Sequence, residues 1–226
     1  NGTVSISGSV VTYSPCANCN GIDSFNFIAS DGNLTDEATV DVTINPINDA
    51  PEILSASTIN FDEDTSGGIN LIGGDVEDDV DDLIYEINGG NVILYNQVGR
   101  QVTFNAPPDY NGSENFTVTV EDSGSLIASQ TLTVTVDPIN DAPIAYSDDG
   151  QATEEDQSIS ILLSGFDVDG DVLEYSITSE PIIGTVDIEG SNATYTPNEN
   201  LNGSDSFEFT VDDGFLTNSA TINLTV

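Results

Sequence analysis

Carboxylates supply nearly all the chemistry available to this sequence, and they fall in clusters that recur along the chain. DEDT carries Glu63 and its counterpart EEDQ carries Glu155. DVEDD carries Asp75 and Glu77, and DVDGD carries Asp167, Asp169 and Asp171. A third set is Asp31, Asp122 and Asp213, the last preceded by Asp212. The hexamer PINDAP, at residues 46–51 and again at 138–143, adds Asn48, Asp49, Asn140 and Asp141. Each cluster sits where the apolar/polar alternation of its surroundings breaks, which places it in a loop. Neighbouring carboxylates in a wet loop repel at about 1–4 kcal/mol per close pair, and a bound cation turns that cost into binding energy. A hard ion such as Ca²⁺ takes six to eight oxygens. A proline-stiffened hexamer cannot offer so many, so several clusters must converge for a site to form.

DVDGD by itself does not make an EF-hand. Counting from Asp167, the sixth position is Val172 instead of Gly and the twelfth is Thr178 instead of Glu, and a strand-like run, VLEYSIT, follows where a helix is required.

Charge sharpens the case for a cation. Forty acids face a single base, Arg100, with no Lys and no His, a formal net charge of −39. Self-repulsion on that scale opposes compaction, yet 37% of the residues are hydrophobic and they are patterned, so the chain folds and is not a disordered acidic tail. Counter-charge must come from solution, as bound divalent ions or as the ion atmosphere of a highly solvated acidic surface, and the two are compatible. Without basic patches the chain binds neither nucleic acid nor anionic membrane, and no apolar run approaches the ~20 residues of a membrane span. The inventory also points away from an enzyme. His and Lys, the usual general bases and Schiff-base formers, are absent. Carboxylate pairs of the glycosidase kind are plentiful, but no Trp is present to line a sugar cleft. Tyr95 and Tyr110 are the only hints of a sugar-binding surface. The chain begins at Asn1, so a mature piece or a cut fragment is expected.

The elements that must position these acids repeat too. Tyr13, Phe104 and Tyr195 lie 91 residues apart, as do Phe25, Phe116 and Phe207, while Asn48 and Asn140, Glu63 and Glu155, and Asp75 and Asp167 are offset by 92. Within each repeat, runs such as SFEFTV and ATINLTV alternate with period two, the mark of strands with one buried face. Turn signals fall every ~8–12 residues and no stretch has helical periodicity. The fold class expected is all-β, a tandem series of Ig-like sandwiches of seven short strands each. In the third repeat these are placed near 151–154, 157–163, 172–178, 184–188, 193–196, 205–211 and 217–226. The repeats divide as 1–46, 47–138 and 139–226, and the first holds only the last four strands of a sandwich. Half a sandwich exposes an apolar face and open edges. It is either cut from a longer array or completed by strands of another molecule.

Cys16 and Cys19 stand in SPCANCNG, where the third repeat has TPNENLNG. A redox motif would open a helix and a zinc site would need further Cys or His. A local disulfide is therefore expected, and with it an oxidising compartment.

The quoted residues DVDGDVLEYSI, the DG…NSATINLTV ending and the INDAP linkers resemble cadherin repeats, and more closely the tandem cadherin-like repeats of large bacterial surface proteins and adhesins. The resemblance spans essentially the whole chain. It implies an elongated array with Ca²⁺ between successive repeats. For the first junction it implies the ligands Asn48, Asp49, Asp75, Glu77 and Asp122. For the second it implies Asn140, Asp141, Glu63, Asp167, Asp169 and one of Asp212 or Asp213, while Glu155 would serve a following repeat. Asp23, Glu114 and Asp205 stand near the place of another family acid, with different local spacing. Pro46 and Pro138 replace a linker acid, the first junction lacks a Glu from repeat one, and DVEDDVDD reshapes the loop of repeat two. The function implied is an extracellular, cell-surface stalk or filament for adhesion, with neighbouring repeats of the same long chain as partners. Two alternatives stand beside it: a module that binds polysaccharide or matching repeats on another cell, and a spacer of a larger secreted enzyme.

Overall fold

The computed structural model describes residues 2–226, which form strands, turns and loops and no helix. Two units result, Asn1–Asp137 and Pro138–Val226.

The second unit is a complete sandwich. One sheet orders its strands Asp148–Ala152, Thr217–Thr225, Ser204–Asp212 and Glu174–Ser179. The other orders Ile159–Leu162, Asn192–Pro197 and Gly184–Glu189. The parity read from the sequence sets the core. Along Ser204–Asp212, Phe207, Phe209 and Val211 point inward, and along Thr217–Thr225 so do Ala220, Ile222 and Leu224. They meet Ile161, Val186, Ala193 and Tyr195 from the facing sheet. Burying each large apolar side chain stabilises by about 1.5–3 kcal/mol, which makes the facing of these strands hard to slip by one residue.

Two elements differ from the sequence expectation. The strand expected over 157–163 breaks at Leu163 and resumes as Ser164–Phe166, which pairs with an unforeseen strand, Ile144–Tyr146. Alternation is unreadable there because Ile144, Tyr146 and Phe166 face solvent while the inward position is a glycine, Gly165, whose added Cβ would meet Val211 at 3.1 Å. The strand expected at 151–154 begins earlier, at Asp148, and pairs in parallel with Thr217–Thr225 through an irregular register.

The complete sandwich within the first unit repeats this topology. Thr58–Asp62, Ile127–Asp137, Gly112–Glu121 and Ile84–Gly89 form one sheet, and Leu94–Val98, Gln101–Asn105 and Ser66–Asn70 the other. Leu71, Phe104, Phe116 and Leu132 are its buried centre. A short pair, Glu52–Ile53 with Gly73–Gly74, lies outside these sheets, and residues 2–44 form two hairpins, Gly2–Ser7 with Val10–Pro15 and Gly21–Ser30 with Thr35–Ile44. None of their described residues is buried, and Ile6, Phe27 and Ile28 are exposed. Tyr13 stacks on Phe25 at 6.3 Å, the one ring contact of this part among the described residues.

Candidate metal centres

Asn48 and Asp49 follow the strand Thr35–Ile44 and precede Glu52–Ile53, held off both by the prolines at 46 and 51. The Asn48 amide donates from Nδ2 to Asp122 Oδ2 at 2.8 Å, and the Asp49 N–H donates to Glu77 Oε2 at 3.0 Å. The Asp75 carboxylate turns its own loop, accepting the N–H of Glu77 at 2.8 Å and of Asp78 at 2.9 Å on Oδ1. Its Oδ2 is shielded from solvent and accepts no hydrogen bond. Asp122 is buried at 3% exposure, with Oδ1 taken by the Leu126 N–H at 2.8 Å.

Ninety-two residues on, the pattern returns inside the second unit. Asn140 Nδ2 donates to Asp213 Oδ2 at 3.0 Å and the Asp141 N–H donates to Asp169 Oδ2 at 2.8 Å. Asp167, buried at 6% exposure, accepts the Asp171 N–H on Oδ1 at 3.2 Å. Its Oδ2 is buried and accepts nothing. Asp167, Asp169 and Asp171 each place a carboxylate oxygen within 4.8 Å of the others. The Leu216 N–H, helped by the Asn140 amide and the Phe215 N–H, keeps the Asp213 carboxyl below the usual range against the opposing pull of burial.

The donor chemistry fits a hard divalent cation. The charged groups of both sets are all carboxylates, the oxygen donors such an ion takes. In each set one carboxylate oxygen is buried without a proton donor, an arrangement that costs free energy unless something positive sits beside it. Among the described residues the single base of the sequence, Arg100, is committed to an exposed pair with Asp81 at 3.1 Å.

The residues singled out in the sequence fall as follows. Asn48, Asp49, Asp75, Glu77 and Asp122 come together, as do Asn140, Asp141, Asp167, Asp169 and Asp213. Asp212 does not join them. It ends a strand opposite Thr217, and its Oδ1 accepts the Gly214 N–H at 2.7 Å. Glu63 lies just past Thr58–Asp62, buried, its N–H donating to the Asp137 carbonyl at 2.9 Å. Glu155 is exposed in the turn between Asp148–Ala152 and Ile159–Leu162. Asp205 and Glu114 hold loops. Asp205 accepts the Ile182 and Ile183 N–H groups at 2.8 and 3.0 Å, and Glu114 those of Asn91, Val92 and Ile93. Cys16 and Cys19 form the expected disulfide. Tyr95 is 37% exposed, its hydroxyl donating to the Ile87 carbonyl at 2.8 Å and its ring edge-on against Phe116. Tyr110 packs against the core.

Asp78 was not singled out, although it locks two loops of the first set together by accepting the Ser123 N–H at 2.6 Å and the Ser123 hydroxyl at 2.9 Å. Asp171 stands in DVDGD outside the ligand set that the resemblance implies. The spacing Asp-x-Asp-x-Asp was the signal for it.

Three segments, residues 1–43, 48–135 and 140–225, match the family described as bacterial Ig domain. Among solved structures the chain is similar to mouse protocadherin-24 EC1-3, at 16% identity over 99% of this chain and 86% of that one, with a TM-score of 0.54. It is also similar to mouse clustered PcdhgC3 EC1-3, at 15% identity over 92% and 78%, with a TM-score of 0.53. The likeness to both is one of fold. An endo-fucoidan hydrolase from glycoside hydrolase family 107 matches at 19% identity and a TM-score of 0.37, and this chain spans 37% of its length. No curated protein matches.

Proposed function

With a chain that belongs to the bacterial Ig-domain family as the premise, we propose that it is a structural and adhesive segment of an extracellular repeat protein, stiffened by Ca²⁺ at its linkers. The observation that carries this is the duplicated constellation. Two linkers are tied to the repeat that follows them by the same pair of hydrogen bonds, Asn48 to Asp122 with Asp49 to Glu77, and Asn140 to Asp213 with Asp141 to Asp169. Each lies in a set with a buried carboxylate oxygen, on Asp75 or Asp167, that accepts no hydrogen bond. Chains that merely tolerate an acidic surface have no reason to bury one.

Asp49, Asp75, Glu77 and Asp122 would hold one ion, and Asp141, Asp167, Asp169 and Asp213 the other. When bound, the ion supplies the positive charge the protein lacks. The Asn amides and the Asp49 and Asp141 N–H groups hold the linker in place beside those carboxylates. A linker fixed at both its prolines and its acids has little torsional freedom left, so Ca²⁺ shifts the population of linker conformations toward one. Extracellular modules bind Ca²⁺ at ~10⁻⁴–10⁻³ M, and an ion at ~100-fold its Kd stabilises by about 2.7 kcal/mol. The chain acts as a stalk, not as an enzyme, and works outside the cell, where calcium is abundant and the Cys16–Cys19 disulfide persists.

The test is a calorimetric titration with CaCl₂ beside small-angle scattering with and without chelator. Saturable binding at two or more sites together with a calcium-dependent narrowing of the conformational ensemble is expected. Absence of binding at millimolar calcium refutes the proposal.

A further inference from the structure

The loop closed by Cys16 and Cys19 borders the first centre. Between the cysteines, Asn18 takes a left-handed backbone at φ 56°. It lines a cleft of about 430 Å³ with Asp49, Glu52 and Asp75, the last bearing the buried Oδ2 that accepts no hydrogen bond. A second cleft of about 250 Å³ is lined by Cys16 and Cys19 together with Asp49 and Glu77. The disulfide loop therefore flanks the carboxylates of this centre in two places.

The other repeats show what such a loop needs to keep its shape. Asp109 and Asn200, one and two periods after Asn18, are also left-handed, at φ 55° and 54°. Each is pinned by a carboxylate. The Asp109 N–H donates to Asp64 Oδ1 at 3.2 Å and the Asn200 N–H to Asp156 Oδ1 at 3.0 Å. Left-handed backbone is unfavourable for a residue with a Cβ, though least so for Asn and Asp, so a tether is required. Around Asn18 the tether is covalent, a bridge between residues three apart.

Building on the calcium assignment above, we propose that the Cys16–Cys19 disulfide is a positioning device for the first centre, holding the 16–20 loop as a wall of the cation cleft so that the calcium affinity of this centre alone depends on the thiol–disulfide state. The ring is so short that its entropic effect on global stability is small, and opening it loosens the loop without unfolding the repeat. A dithiol opens it in two exchanges. One thiolate attacks a cysteine sulfur to form a mixed disulfide and the second displaces the protein thiol. Two electrons and two protons pass to Cys16 and Cys19 and the reagent leaves as its cyclic disulfide. Linkage is reciprocal, so bound Ca²⁺ must in turn resist that opening.

The experiment uses the full chain carrying Asp167→Asn, which leaves the first centre to be read alone, titrated with CaCl₂ before and after dithiothreitol. Loss of a group that orients a metal site lowers affinity by roughly 10–100-fold, and a weakening at the low end of that range is expected on reduction. The double variant Cys16→Ser, Cys19→Ser should match the reduced chain. The parallel chain carrying Asp75→Asn, which reads the third-repeat centre, should bind equally well in both states. A second readout needs no variant: millimolar Ca²⁺ should raise the fraction of wild-type disulfide remaining at equilibrium in a dithiothreitol redox buffer, read by alkylation of the freed thiols. Equal affinity before and after reduction, equal loss in both chains, or an equilibrium disulfide fraction indifferent to Ca²⁺ each overturns the proposal. Absence of calcium heat in the oxidised wild type overturns the calcium assignment itself.

Discussion

The phenol of Tyr195 donates to Asp205 Oδ2 at 2.8 Å within the core of the third repeat, and Tyr13 and Asp23 form the same pair at 2.6 Å in the first. Room for the ring comes from a glycine. An added Cβ on Gly184 would lie 2.5 Å from the Tyr195 ring and hydroxyl, and one on Gly2 equally close to Tyr13. The second repeat changes all three positions together: Ile93 replaces the glycine, Phe104 the tyrosine and Glu114 the aspartate. The longer acid reaches the Ile93 N–H at 2.9 Å, so the loop stays held without a phenol. Gly184→Ala is therefore expected to destabilise the third repeat by about 1–3 kcal/mol through overpacking. Thermal melting by circular dichroism checks it, and an unchanged midpoint would show that the ring has room to move.

Acid should loosen the same clasp. Burial works to raise the Asp205 carboxyl, but the N–H groups of Ile182, Ile183 and Ser206 and the Tyr195 phenol outweigh it and hold the group below its ordinary value. A depressed folded pKa gives stability that is fully present above the unfolded value of about 3.9 and lost as pH falls through the folded one. Asp205→Asn should lower the urea midpoint at pH 7, with the gap to wild type closing below about pH 4. A gap that stays constant down to pH 2 contradicts this.

Asp167→Asn should act with opposite signs in calcium and in chelator. With Ca²⁺ present it removes a ligand, and affinity at that centre should fall at least tenfold, in line with ligand and outer-shell losses at metal sites. In chelator it removes a buried charge crowded by Asp169 and Asp171, and the melting midpoint should rise. A calcium-free midpoint that falls instead would mean that the hydrogen bond from the Asp171 N–H to this carboxylate outweighs the repulsion.

Salt should substitute in part for calcium. With 40 acids and one base, the calcium-free chain is stressed by repulsion that screening relieves over ~8–10 Å at 0.1–0.15 M. Raising NaCl from 10 to 500 mM in chelator should raise the melting midpoint. Millimolar CaCl₂ should raise it further at constant ionic strength, because a buried oxygen such as Asp75 Oδ2 is out of reach of the ion atmosphere. Equal effects of the two salts at matched ionic strength would argue for screening alone.

Much of this molecule was legible from residue order. Alternation in SFEFTV and ATINLTV marked which side chains face the core because strand geometry has a period of two wherever the strand lies. The recurrence of clusters pointed to loops that share a task. What could not be read was local geometry free of that period. Ile144–Tyr146 and Ser164–Phe166 went unforeseen because three-residue strands with apolar residues on their outer face carry no alternation. Asp78 gave no signal apart from its neighbours, since a run of acids does not say which one turns inward.

The sequence by itself determined an all-β chain of repeated sandwiches and a charge imbalance that no internal pairing can cure, since composition and period are properties of order alone. Only the tertiary structure decided that Asp213 and not Asp212 meets Asn140, that Asp205 and Glu114 clasp loops, and that the disulfide loop stands beside Asp75. In a turn that passes through Gly214 at φ 96°, neighbouring carboxylates can diverge widely: Asp212 accepts from the Gly214 N–H two residues on, while Asp213 meets Asn140, 73 positions away.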